Sequence, residues 1–126
     1  MNASFKRLFL FVLCALMCAC VPARAMTDAD LEQASQREAA AHVARYGILT
    51  DAAIYARVEA IFERLEKISA PTRWPLRLII LGNPMPNAFS LPDGRVFLNV
   101  GFFGLQLSDD ELAFVLAHEI AHVHRE

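Results

Sequence analysis

The chain has 126 residues, with 12 Lys and Arg against 14 Asp and Glu, for a net charge of −2. That length holds one small domain and leaves little room for two independent cores. At 56% hydrophobic and 21% charged residues the composition excludes a disordered polymer, and the near-neutral balance carries no footprint for nucleic acid.

The first 25 residues differ from the rest. Lys6 and Arg7 supply positive charge, Leu8 to Val21 is apolar, and Ala23-Arg24-Ala25 offers small residues at the two positions a signal peptidase reads. A membrane-spanning helix needs roughly 20 apolar residues, so the run is short for a permanent anchor. The pattern predicts an export signal over residues 1–25, a mature chain over 26–126, and a location in the periplasm or cell envelope. Cys14, Cys18 and Cys20 are the chain's 3 cysteines, so cleavage after Ala25 leaves no thiol and no disulfide. A second reading makes Cys20 a lipid-attachment site after Met17-Cys18-Ala19, giving an outer-membrane lipoprotein. Membrane association is expected in that case alone.

Thr27 to Tyr46 is Ala-rich and polar and reads as a helix, with Leu31, Ala34, Val43 and Tyr46 as its contacts and Gly47 as its stop. Thr50 stands where it can cap a second helix. There Ile54, Val58, Ile61, Leu65 and Ile68 recur at spacings of three and four, and Arg57, Glu59, Glu63, Arg64 and Lys67 take a solvated face. Pro71 follows that helix. Leu76 to Leu81, between Pro75 and Gly82, predicts a buried strand. Asn83-Pro84-Met85-Pro86 cannot be helical through both prolines and reads as an extended connector. Asn87 to Leu91 and Arg95 to Val100 flank Pro92-Asp93-Gly94, an Asp-Gly turn signal, and predict a hairpin.

The last helix carries the strongest signals. Ser108 and Glu111 stand in capping-box spacing, Leu107 can staple to Leu112, and Asp109, Asp110 and Glu111 complement the helix dipole. From Leu112 to Val123 the titratable residues are His118, Glu119 and His122. A helix otherwise apolar all round is expected to be buried, so these groups need partners.

Residues four apart project from one helix face, so His118 and His122 can converge on one metal ion. Zinc accepts imidazole nitrogen at tetrahedral geometry and needs no redox partner. Glu119 follows the first histidine and lies beside such a site, where a carboxylate can take a proton from water and pass it to a leaving amine. A buried cluster of these three residues satisfied by hydrogen bonds is the competing reading. His124 points away from the pair, and His42 lies in the polar first helix.

Asn87 to Leu98, then Gly101, Asp110 to Ala113 and His118-Glu119-Ile120-Ala121-His122 resemble the HtpX/CAAX-protease zinc metallopeptidases, peptidase family M forty-eight. The resemblance covers roughly residues 54 to 126. It implies zinc ligation by His118 and His122, a catalytic base at Glu119, and a hairpin flanking the cleft. Asn87, Ala88 and Phe89 would then contact a polypeptide substrate held in extended form by strand addition. The family completes its site with a glutamate on a later helix. That third ligand has no counterpart before Glu126, and Glu126 itself lies eight residues from His118 and off the metal-facing side.

The fold expected is α+β: mainly helical, with a small antiparallel sheet packed on the zinc helix, an incomplete gluzincin-type domain. The function expected is a zinc-dependent endopeptidase acting on misfolded envelope proteins, with residues 26–126 as the amino-terminal part of its catalytic domain. The alternative is a truncated, non-catalytic remnant or interaction module that keeps the helix and hairpin. A catalytic zinc normally has three protein ligands, so two histidines alone predict weak metal retention and little activity for residues 26–126 by themselves.

Overall fold

The computed structural model describes residues 25–125, so the signal segment through Arg24, its cysteines and Glu126 lie outside the described residues. Helix α1, Asp28–Tyr46, starts at a capping box between Thr27 and Asp30 and stops at Gly47, whose φ of 68° suits a residue without a Cβ. Its buried positions are Ser35 and Ala39, with Val43 and Tyr46 packing beside them. Ala34, expected as a contact, is exposed.

Helix α2 is Ala52–Ile68. Its cap is Asp51 rather than Thr50, because the Asp51 carboxylate accepts from the backbone N–H groups of both Ala53 and Ile54 at 3.0 Å. Val58, Ile61 and Phe62 are buried, whereas Ile68, at the end of the apolar stripe, is 81% exposed. Arg57 is not merely solvated. Its Nε stands 2.8 Å from Asp109 and its guanidinium donates to the Leu107 carbonyl, tying α2 to the start of the last helix.

Strands β1 (Arg77–Leu81), β2 (Ala88–Ser90) and β3 (Arg95–Asn99) form a sheet in the order β1-β3-β2. The hairpin β2–β3 is antiparallel, as expected, and Gly94 takes the left-handed φ of 88° in its turn. The antiparallel expectation for the whole sheet is corrected by β1, which pairs with β3 in parallel from Arg77↔Arg95 to Leu81↔Asn99. The connector after Gly82 carries the chain past the position of β3 to β2. The hairpin then returns β3 in β1's direction, between the two.

Sidedness of the strands builds three layers. Ile80, Val96 and Leu98 join Val58, Ile61 and Phe62 of α2 and Leu112, Leu116, Ile120 and Val123 of the last helix. On the opposite face Leu81, Leu91 and Phe97 meet Ala39 of α1. Val96, Phe97 and Leu98 are fully buried, since β3 is central and covered on both faces. Each such side chain contributes about 1.5–3 kcal/mol on burial.

Two polar devices hold the hairpin. Asp93 is 0% exposed, with an oxygen 2.6 Å from Arg95 and 3.5 Å from Arg77. The Arg95 contact is an ion pair without the alignment of a hydrogen bond. Asn99 is buried and donates from Nδ2 to the Met85 carbonyl, while its backbone N–H donates to Asn87. A 3₁₀ segment, Val100–Leu105, leads on to the last helix, α3, Asp109–Val123.

Candidate metal centre

The capping box predicted for α3 is present: Glu111 accepts from the backbone and hydroxyl of Ser108 at 2.8 Å, and Ser108 accepts from the Glu111 N–H. Those hydrogen bonds hold the Glu111 carboxyl below its usual range. Leu112, Leu116, Ile120 and Val123 bury one side of α3. The expectation of burial all round is corrected by the other side, where Phe114, Ala117, His118, Ala121 and His122 are exposed. An apolar composition records which residues tolerate burial, not which face meets a partner.

His118 and His122 stand together on that exposed side. Their Nε2 atoms are 3.1 Å apart, with ring centroids at 4.7 Å and ring planes at 85°. At 3.1 Å the two nitrogens are within hydrogen-bond distance of each other, a spacing also close to the roughly 3.3 Å between two ligands each about 2.0–2.1 Å from a tetrahedral ion. The pair fits the ion. Among the described residues no group of three His, Cys, Asp or Glu side chains converges on one point.

Glu119 is only 9% exposed and turns toward the sheet side of the histidines. It reaches the surface through a cavity of about 300 Å³ that it shares with His118, Phe114 and Val115 of α3, Phe102 of the 3₁₀ segment, and Asn87 and Ala88. The cavity therefore joins the carboxylate, one imidazole and the approach to β2 in one open cleft.

Of the three hairpin residues singled out from the sequence, Asn87 and Ala88 line this cleft. The Phe89 side chain does not, because strand alternation sends it to the far face, stacked on Phe97 at 4.7 Å and against His42 at 4.6 Å. His42 is thus an aromatic packing partner of the hairpin. His124 lies at the C-cap of α3 on the flank away from the cleft, beside Leu65 and Ile68.

β2 is an edge strand, since β3 covers one side of it and no strand pairs with the other among the described residues. Backbone bonds between Asn99 and Asn87 and between Leu91 and Arg95 make Phe89↔Phe97 the hydrogen-bonded pair between them. The main-chain groups of Ala88 and Ser90 consequently face the open edge, with the Ala88 side chain toward α3. The margin of β1 is different: Ile48 bridges to Leu81 and Leu49 donates to Ile80 there.

Phe102, Phe114 and Val115 were not singled out from the sequence. Phe114 carried a usable signal, lying four residues before His118 and hence one turn away on the same stripe.

The chain is similar in sequence to named metalloendopeptidases. The mitochondrial metalloendopeptidase OMA1 of Schizosaccharomyces pombe is 38% identical over 65 residues, covering 52% of this chain and 19% of that protein. The OMA1 of Saccharomyces cerevisiae is 40% identical over 50 residues, covering 40% of this chain and 14% of that protein. The β-barrel assembly-enhancing protease of Yersinia pestis is 35% identical over 66 residues, covering 52% of this chain and 14% of that protein. The chain thus spans less than a fifth of the length of each of these relatives. The profile of Peptidase family M48 matches residues 48–126, from the bridge at Ile48 through the histidine pair. With that match over more than half its length, the chain belongs to Peptidase family M48.

Proposed function

We propose that residues 26–126 are the amino-terminal part of the catalytic domain of a zinc-dependent metalloendopeptidase, exported behind the signal at residues 1–25. The observation that carries this reading is the 3.1 Å approach of the His118 and His122 Nε2 atoms beside the nearly buried Glu119. The family match and the two named metalloendopeptidase relatives support the same chemistry. Misfolded proteins of the periplasm or envelope are the substrates proposed; the resemblance to a β-barrel assembly-enhancing protease supports that location.

In this mechanism His118 and His122 would hold the ion. Zinc, when bound, polarises a carbonyl and lowers the pKa of water toward neutrality. Ala88 and Ser90 present their main-chain groups to an extended polypeptide, which adds to β2 as a further strand. Glu119 takes the proton of the attacking water and delivers it to the departing amine. The open cleft keeps the carboxylate in reach of water and substrate.

The test is zinc content and cleavage of an unfolded protein by the full-length gene product and its variants. His118→Ala and His122→Ala should each lose zinc in equilibrium dialysis. Glu119→Gln should retain zinc and cleave about 10²–10⁴-fold more slowly. Unchanged cleavage by Glu119→Gln would exclude the proposed role. Zinc binding with no cleavage by any form would favour the non-catalytic module instead.

A further inference from the structure

β2 is 3 residues long and, among the described residues, paired on one side, so side-chain packing has to hold it in place for an incoming strand. By alternation Ala88 and Ser90 share the α3 face, which leaves Phe89 as the residue of β2 that faces α1. On that side His42 lies against the Phe89 ring at 4.6 Å, and the Phe89 ring is stacked on Phe97 at 4.7 Å with the planes 8° apart. His42 also stands 6.2 Å from Phe97 and 6.4 Å from Tyr46, one turn further along α1. Ser35 and Ala39, small and buried, let α1 approach the sheet closely enough for this contact. α1 precedes residues 48–126, the part of the chain that matches the family profile.

We infer that His42 is a positioning residue, which steadies the substrate-binding edge of β2 from behind by clamping the Phe89 ring against Phe97. The inference rests on the peptidase reading and gives α1 a part in it. Phe89 sits between Ala88 and Ser90, whose main-chain groups face the open edge. A shift of its ring therefore moves the groups that would bond to an extended polypeptide, and such bonds weaken steeply with misalignment. Leu91, buried on the same face, anchors the turn beyond the strand, so the hold on β2 itself falls to the rings. Ring pairs at these separations are favourable beyond the area they bury. The His42 side chain is 34% exposed, with Nε2 4.0 Å from the exposed Glu38 carboxylate, so its polar edge meets solvent while its body lies on Phe89. A phenyl ring at this position can make the same contact, whereas a methyl group cannot.

The test compares the full-length gene product with its His42→Ala and His42→Phe variants. Native-state hydrogen exchange by NMR reads the amides of Phe89 and Phe97, the hydrogen-bonded pair between β2 and β3, against that of Leu116 in the other apolar layer. His42→Ala should speed exchange at Phe89 and Phe97 about 3–10-fold while Leu116 keeps its rate, and His42→Phe should return both to the wild-type value. With an unfolded protein as substrate, His42→Ala should raise KM about 2–10-fold, because the strand must be ordered again on binding. Its kcat and zinc content should stay within about twofold of wild type, since His42 lies across the sheet from His118 and Glu119. His42→Phe should restore KM. Faster exchange at all three amides alike would reduce His42 to an ordinary stabilising contact and overturn the inference. So would unchanged exchange at Phe89, or a fall in kcat with KM unchanged. No cleavage by any form, with the exchange pattern as expected, would strike the peptidase reading and support the clamp on β2.

Discussion

Gly101 occupies a point where the backbone of the connector passes so closely that a Cβ would lie 2.6 Å from both the Met85 carbonyl carbon and the Pro86 nitrogen. Its own N–H donates to the Asn83 carbonyl. With Asn99 holding Met85 and Asn87, it clamps the stretch that delivers Asn87 and Ala88 to the cleft. The obstructing atoms are main chain and cannot swing aside as a flexible side chain would. Gly101→Ala should therefore destabilise the protein by about 1–3 kcal/mol, read as a lower urea midpoint with unchanged slope. At this scale the sequence was only partly legible. The spacing of His118 and His122 sufficed to bring their nitrogens together, since helix geometry is local. The burial of Asp93 was hidden behind its reading as a turn residue. A turn signal describes the backbone, whereas Arg77 and Arg95 approach that carboxylate only after β1 and β3 pair.

α3 shows how an element can be correctly bounded and yet wrongly surrounded. Its start is encoded within four residues, Ser108 to Glu111, and the two side chains satisfy backbone donors that the helix itself leaves unpaired. Ser108→Ala should cost about 1 kcal/mol, measured by thermal or denaturant melting. The hydrogen bonds from Ser108 lower the Glu111 pKa in the folded state. Their stabilisation is therefore present above the ordinary carboxylate pKa and is lost as pH falls through the depressed folded value. A carboxyl NMR titration should show Glu111 titrating below its usual range, returning toward it in Ser108→Ala. Helices and the hairpin were legible because caps, apolar spacing and Asp-Gly turns are local signals. The parallel pairing of β1 was not, because an apolar run specifies burial but not its neighbour's direction. The same limit explains the Thr50 and Asp51 caps: both residue types suit the position, and the path of the folded chain decides that the Asp51 carboxylate meets the donors.

Across the whole molecule, one central strand separates two apolar layers and is secured on its two sides by segments at different distances in the chain. β2 joins β3 through Leu91 to Gly94, whereas β1 reaches β3 only after residues 82–94 have looped back. Hairpins close in about 1–10 μs, and non-local pairing must first meet the entropy of loop closure. The order of assembly follows: the turn at Gly94 forms early, and Pro75 settles over it when β1 arrives, where the missing Cβ leaves room for the Pro75 carbonyl. In stopped-flow folding, Phe97→Leu should slow refolding, while Leu78→Ala should chiefly accelerate unfolding. Equal effects on the two rates would contradict that order. The strand that forms one entire margin of the sheet is thus the last to be locked and the first to be released.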